Sequence, residues 1–345
     1  MFYDHVLRPL LFQCPPEFAH DLAKLALKTG APWKLLGAKA ASPRLQSRLG
    51  ALRIANPIGL SAGFDKNAEA LAGLSQLGFG YLTIGSMLPT PRSGNPKPRL
   101  LRLPEQESLL NCYGLPSDGL ERSLPRLARW SRSAANTTPI IANIDCPDVD
   151  TYLRVLAKVE PFVAGVEIGT QCPNNQDDNG EFNTRDALEK VLAQAAQFRR
   201  KPLFVKLLPY GNEAERQNRL ELAELAAHYQ VDGICLPGTW RVPTEQLSLG
   251  YGQASGRMVF EKTLETVKDL ATVTRGKIAI KANGGISTGE EVFRVLAAGA
   301  SSADILAGFI YRGWGLPRKA QAELLAQLDA HHLHSVTEIG PHLLN

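Results

Sequence analysis

The chain has 345 residues, 44% of them hydrophobic, and a formal net charge of +4. That is apolar material enough for one large α/β domain or two ordinary ones, and the charge is too mild and too scattered to argue for nucleic acid. Five cysteines, Cys14, Cys112, Cys146, Cys172 and Cys235, form no CxxC pair and leave one over, which points to a reducing compartment and away from a disulfide framework, an iron–sulfur centre or a metal site.

In chain order, residues 1–40 differ from the rest of the chain. Val6, Leu7, Leu10 and Leu11 make a short apolar segment, and Pro15-Pro16 opens a helix with Phe18, Leu22, Leu25 and Ala26 at helical spacing. Trp33, Leu35 and Leu36 come next, with Arg8, Lys24, Lys28 and Lys34 interspersed. Two readings stand: an amphipathic helix pair lying on an anionic membrane face, or a pair packed on the main domain. No apolar run reaches the length of a membrane span and no signal peptide is visible, so the expectation is a cytosolic protein or one peripheral on a membrane.

From residue 50 on, apolar runs alternate with helical patterns. Candidate strands are 58–60, 81–84, 139–143, 163–169, 202–207, 233–236, 277–282 and 304–307; helical patterns include 67–77, 185–199, 213–228, 261–273 and 289–297. Eight such alternations predict an α/β fold of the (β/α)8 TIM barrel type with an N-terminal helical extension; a doubly wound sheet is the alternative. The stretch from Pro89 to Leu115, rich in Pro and Gly, reads as an excursion from a strand end carrying a pair of short strands.

In a barrel the chemistry gathers at the carboxyl ends of the strands. Ser61-Ala62-Gly63-Phe64-Asp65-Lys66-Asn67 follows the first strand, its small residues allowing close approach of backbone to a ligand and Lys66 offering a cation. Gly85-Ser86 ends the second strand, Asn143 the third and Lys206 the fifth. Lys206 faces either the site or a buried ion pair. Val166-Glu167-Ile168-Gly169-Thr170-Gln171-Cys172-Pro173-Asn174-Asn175 puts a thiol and amides after the fourth strand, where Cys172 is either a tuned nucleophile or proton acceptor, or an idle loop thiol. Gly252–Arg257, Asn283-Gly284-Gly285 and Ala307-Gly308 are Gly loops of the kind that bind phosphate through backbone N–H groups. His331, His332 and His334 read as a solvated tail.

Taken together, SAGFDKN at 61–67, IGSMLPTPRSGNPKPRLLRL at 84–103, LNCYG at 110–114, VKLLP at 205–209, ASGR at 254–257, NGGI at 283–286 and AGASSADILAGFIYRG at 298–313 resemble the dihydroorotate dehydrogenase family, in its class 2, membrane-associated branch. The resemblance runs from residue 1 to about Gly313. It implies a barrel holding FMN (residues 41–345), with residues 1–40 as a membrane-associated extension that receives a quinone, and a peripheral place on the cytoplasmic face of the inner membrane. It implies oxidation of dihydroorotate or a related compound with electrons passed to quinone, without NAD. By the same resemblance Ala62, Gly63, Ser86, Asn143, Lys206, Gly256, Gly285 and Gly308 fall on FMN-contacting positions. Lys66, Asn111, Asn174 and Thr239 fall on substrate-binding positions, and Cys172 falls on the catalytic base.

The chain also departs from the family. Class 2 members usually have serine at the base, and cysteine is the class 1 choice. The family's strand-4 asparagine is Gly169 here, the asparagine after strand 6 is Gly238, its Gly-Phe-Asn-Asn segment reads Gly114-Leu115-Pro116-Ser117, and Leu306-Ala307 precedes Gly308 at the phosphate end. Two of four amides that would embrace the ring are therefore missing. At roughly 1–3 kcal/mol for each lost hydrogen bond, affinity would fall by roughly two to four orders of magnitude. Both replacements are expected to open space. The rival reading is a divergent paralogue that oxidises a different, bulkier substrate, or a catalytically weak flavoprotein.

Overall fold

The computed structural model describes residues 2–29, 33, 42–170, 174 and 184–343. Eight parallel strands close into a barrel: β1 (Ile58–Leu60), β2 (Tyr81–Met87), β3 (Ile140–Ile144), β4 (Gly165–Gly169), β5 (Leu203–Lys206), β6 (Gly233–Cys235), β7 (Ala279–Asn283) and β8 (Ser302–Ile305). Each pairs with the next in sequence, and β8 pairs back onto β1. Every position of β1, β3, β4, β6 and β8 is buried. Covered on both faces, such strands read as continuous apolar runs, which is the pattern the sequence carries.

Helices return the chain between strands, and among the described residues four begin on a side-chain cap. Asp148, Thr184, Asn212 and Thr288 accept hydrogen bonds from the backbone N–H of Thr151, Ala187, Glu215 and Glu291. The helical pattern at 67–77 yields only a short helix, Leu71–Leu74. The buried Asp65 carboxylate accepts the N–H groups of Glu69 and Ala70 at 2.9 and 2.8 Å, offering this stretch a looped alternative to helical bonding.

The barrel interior is layered. At its amino end Tyr81 and Phe204 fill the lumen, because glycines leave room for them. A Cβ at Gly59 would stand 2.2 Å from the Tyr81 ring, and Cβ atoms at Gly165 and Gly233 would each stand 2.9 Å from the Phe204 ring. The hairpin Ser47–Leu49/Leu52–Ile54 closes that end, with Leu49 and Ile54 packed on the two rings. Above them lies a buried polar layer built on Lys281, Glu167 and Asp304.

The carboxyl end is roofed. Leu100–Leu103 and Ser108–Asn111 are the expected pair of short strands, and they join Tyr251–Gly256 and Arg241–Pro243 in a four-stranded antiparallel sheet. The Gly252–Arg257 stretch, expected as a loop, is thus largely strand. Its alternation of small and polar residues fits a sheet lying over a cavity.

The N-terminal helices Arg8–Gln13 and Pro16–Lys28 are fastened to this end. Glu17 pairs with Arg99 at 2.9 Å, and Lys24 and Lys28 both reach Glu69 at 2.9 Å. Arg8 Nη1 donates to the Tyr311 carbonyl at 3.1 Å. These basic side chains are therefore committed to the barrel. The apolar side chains Phe2, Val6, Leu10, Phe18, Leu22 and Leu25 are exposed, Leu22 being also on the wall of the cavity described below. Among the described residues no helix is long and apolar enough to cross a membrane.

Candidate active site

A cavity of about 490 Å³ opens at the carboxyl ends of the strands and continues up between the N-terminal helices. That volume is ordinary for a site that holds an organic ligand. Its lower wall carries Ala62, Gly63, Lys66, Ser86, Asn143, Gly169 and Lys206; its roof carries Asn111, Tyr113, Gln253 and Ser255; and Asn174 and Thr239 close the sides. Its upper part is lined by Leu7, Leu11, Phe12, His20, Ala23 and Trp33 from the extension, facing Phe309 and Trp314 of the barrel.

Nine of the residues expected at the site therefore share one cavity: Ala62, Gly63, Ser86, Asn143, Lys206, Lys66, Asn111, Asn174 and Thr239. Gly256, Gly285 and Gly308 are not on its wall, although their neighbours Ser255, Asn283 and Leu306 are. The side of each glycine where a Cβ would sit is filled by protein. At Gly285 (φ +73°) it would meet the Phe260 backbone at 2.6 Å, at Gly256 (φ +88°) the Glu107 carbonyl at 2.5 Å, and at Gly308 the Ser287 Cβ at 2.7 Å. Cys172 lies outside the described residues.

The floor of the cavity is a hydrogen-bonded chain rooted in the barrel. Ser86 Oγ donates to Asn143 Oδ1 at 2.5 Å, and Asn143 Nδ2 donates to Glu167 Oε1 at 2.9 Å. Glu167 Oε2 holds Lys281 Nζ at 2.5 Å, and Lys281 also pairs with Asp304 at 3.5 Å. Tyr81 OH in turn bonds both Ser302 and Asp304. Burial alone would raise the Glu167 carboxyl, but Lys281 and then Lys206 outweigh it and hold it below the usual range. A buried ion pair this well supplied with hydrogen bonds fixes the orientation of Asn143. Composition gave no sign of the network, but a Glu and a Lys inside otherwise apolar strands are its signature.

Lys66 is one of the cations lining the cavity, with Arg102 and Lys206. Its Nζ donates to the Gly63 carbonyl at 2.6 Å and lies 4.8 Å from the centre of the Tyr113 ring. Burial, and next the positive charge of Lys24, bring it down from 10.5 to about 8, against the opposing pull of Asp65. Such a charge is poorly compensated, and an anionic ligand would relieve it. His20, packed edge-on against Phe64 with centroids 4.9 Å apart, is pushed down to about 3 by burial and by Lys66 and Lys24, so the upper cavity carries a neutral imidazole.

On the side walls, Asn174 Nδ2 donates to the backbone oxygen and Oδ1 of Asn111, both at 3.3 Å, and Asn111 Nδ2 reaches the Gln253 carbonyl at 3.4 Å. Gly169 and Gly238, both expected to open space, behave differently. Gly238 opens no space, because a Cβ there would stand 2.4 Å from Thr263 N and Oγ1. At Gly169 a Cβ would stand 3.3 Å from Asp145 Oδ2 and 3.6 Å from Asn143 Nδ2, so the room is shared with a carboxylate.

The wall fits a flat cofactor. Gly63 adopts φ +111°, and a Cβ there would meet only Leu306 Cδ2, at 3.9 Å, so glycine keeps that wall free of side chain. Ser86, Asn143 and Lys206 present hydrogen-bonding groups along the same wall.

Comparison with known proteins agrees with this architecture. Residues 44–328 match the dihydroorotate dehydrogenase family. The dihydroorotate dehydrogenase (quinone) of Pseudomonas fluorescens strain Pf0-1 is 35% identical over 337 residues, covering 93% of this chain and 98% of its own length. The dihydroorotate dehydrogenase (quinone) of Cereibacter sphaeroides strain ATCC 17023 is 34% identical over 339 residues, covering 95% of this chain and 94% of its own. Among solved structures, the Eimeria tenella enzyme in complex with ferulenol superposes with a TM-score of 0.84 at 28% identity, covering 96% of this chain and 97% of its own. The barrel, its roof, its N-terminal helices and these matches across nearly the whole chain agree: the chain belongs to the dihydroorotate dehydrogenase family.

Proposed function

We propose that the protein is an FMN-dependent dehydrogenase that oxidises dihydroorotate, or a closely related ring, and passes the electrons to a membrane quinone. The observation that carries this reading is the continuity of the cavity, which joins a polar barrel mouth to an apolar passage between the N-terminal helices. A polar substrate and an apolar acceptor can each approach the same cofactor from such a cavity. The likeness to relatives named for quinone, over residues that include the extension, supports it further.

In this reading Ala62, Gly63, Ser86, Asn143 and Lys206 hold FMN along the lower wall, with the backbone near Gly256, Gly285 and Gly308 at its phosphate end. FMN, when bound, supplies a two-electron centre that accepts hydride from the substrate and yields electrons to the quinone. Lys66 holds the substrate's carboxylate, and Asn111, Asn174 and Thr239 orient its ring. Cys172 takes the proton from the carbon next to the one that loses hydride. Lys206, beside the cofactor, stabilises negative charge on it. The upper passage is largely apolar, with His20 neutral and the Arg102 guanidinium over the Phe12 ring as a cation on its wall.

The exposed face of Phe2, Val6, Leu10, Phe18, Leu22 and Leu25 supports peripheral contact with a bilayer, on the cytoplasmic side of the inner membrane. Scattered single apolar residues are normal on a surface, but six between Phe2 and Leu25 make a patch. The test is a comparison of acceptors. Helix variants of the passage such as Ala23→Trp should lose quinone reduction while a soluble dye is still reduced; equal loss with both acceptors would refute the separate passage.

A further inference from the structure

We infer that the buried layer of Lys281, Glu167 and Asp304 tunes the flavin: it carries one negative charge in excess, acts on the cofactor wall through Asn143 and against Lys206, and so lowers the reduction potential of bound FMN. The inference rests on the flavin reading above and deepens it. It gives a role to three residues that do not themselves line the cavity.

The layer sits in the barrel lumen, and Lys281 on β7, Glu167 on β4 and Asp304 on β8 are each no more than 3% exposed. Lys281 Nζ reaches Glu167 Oε2 at 2.5 Å, Asp304 Oδ2 at 3.5 Å and Thr83 Oγ1 at 3.3 Å. Tyr81 OH donates to the other oxygen of Asp304. An ammonium and a phenol are partners that suit Asp304 as a carboxylate. Burial works against the charge on Glu167, but Lys281 and then Lys206 keep it ionised. Tyr81 and Cys235, which also adjoin the layer, stay neutral: burial raises the Tyr81 hydroxyl well above its ordinary value and pushes the Cys235 thiol up to about 12. Two carboxylates to one ammonium leave one negative charge over, and charge in so dry a place is little screened.

Two routes carry that charge to the cavity wall. Asn143 Nδ2 donates to Glu167 Oε1 at 2.9 Å, and its Oδ1 accepts from Ser86 Oγ at 2.5 Å; Asn143 and Ser86 both line the cavity. With its hydrogen given to Asn143, the Ser86 oxygen is left as an acceptor. The second route is Lys206, a cavity-lining cation on β5 that pairs in register with Gly169, two residues beyond Glu167 on β4. A cation whose field is partly spent on Glu167 does less for negative charge on a cofactor. Reduction adds negative charge to a flavin, so both routes oppose it, and the reduced flavin becomes the stronger electron donor.

The test measures the potential of the bound flavin with neither substrate nor quinone present, by slow reduction of FMN-loaded protein alongside a reference dye. At a fixed poise of the dye, Asp304→Asn should raise the ratio of reduced to oxidised flavin at least about tenfold, or about 30 mV for a two-electron couple. Asp304 bonds Lys281 and Tyr81 and is not on the cavity wall, so this variant removes charge and leaves the wall in place. Tyr81→Phe takes a hydrogen bond from the same layer but no charge, and should stay within about threefold of the parent. Should Asp304→Asn fail to fold, Glu167→Gln carries the same expectation, because its amide oxygen can still accept from Asn143. An unmoved or lowered potential in the charge variant, or an equal rise in Tyr81→Phe, overturns the inference. A parent that takes up no flavin overturns the flavin reading and this inference together, whereas bound flavin with an unmoved potential overturns this one alone.

Discussion

Replacing Lys66 by methionine should stabilise the protein at pH 7 while removing its hold on an anionic ligand. The drop from 10.5 to about 8 corresponds to about 3 kcal/mol of lost preference for the charged form. Against this, the variant gives up the bond to the Gly63 carbonyl and the position over Tyr113, each worth about 1 kcal/mol. The net gain is about 1 kcal/mol, or about 1–2 °C in Tm for a chain of 345 residues. The sign with pH depends on which state holds the proton. The unfolded chain keeps the Lys66 proton up to about 10.5 and the folded one releases it near 8, so across that window the unfolded state binds more protons and parent stability rises with pH. The advantage of Lys66→Met is therefore full below about pH 8 and gone above about 10.5. Over the same range, orotate binding to the parent should weaken about tenfold for each pH unit above 8, as the cation is lost, while the variant binds weakly at every pH. Melting curves of both proteins at pH 7 and 10, with flavin-perturbation titrations of orotate, measure all three effects. A parent whose orotate affinity stays flat to pH 9.5 would refute the reasoning.

The ion-pair layer, the exposed helices and Cys172 each carry an expectation of their own. Lys281→Met leaves Glu167 and Asp304 buried without their cation and should cost about 3–5 kcal/mol in chemical denaturation, and adding Glu167→Gln should recover part of it; no loss in the single variant would mean the layer is solvated. Phe18→Glu, Leu22→Glu and Leu25→Glu together should abolish sedimentation with anionic vesicles and leave flavin content intact, since all three side chains are exposed; unchanged sedimentation would place the membrane face elsewhere. Cys172→Ala should keep flavin and slow its bleaching by substrate roughly 10²–10⁴-fold, and Cys172→Ser should move the pH profile upward; bleaching at the parent rate would remove Cys172 as the base.

The barrel was legible because its strands are buried on both faces and bounded by breakers, and every expected strand overlaps an observed one. The strand-end rule located Ser86, Asn143 and Lys206 without any knowledge of a ligand. Local structure was not legible: Asp65 accepts the N–H groups of Glu69 and Ala70, Ala68 sits at φ +56°, outside the helical region, and the helix starts only at Leu71. Nor was close packing, since nothing in Leu236-Pro237-Gly238-Thr239 announces that Thr263, a distant residue, occupies the space beside Gly238. Asp145 escaped notice because a carboxylate just past a strand reads as an ordinary solvated turn residue, and only the register of β3 against β4 brings it beside Gly169. The passage between the helices emerged only from tertiary structure, because helical spacing marks an apolar stripe without saying whether it faces core, cavity or bilayer.

The central claim is that one cavity joins ring oxidation to quinone reduction through a bound flavin, and anaerobic rapid mixing tests it most directly. Protein loaded with FMN, mixed with dihydroorotate or a closely related dihydro ring, should lose its yellow colour, and a short-chain quinone added next should restore it in one turnover. Flavin that stays oxidised with every such ring, or reduced flavin that a soluble dye reoxidises but a quinone does not, would contradict the account.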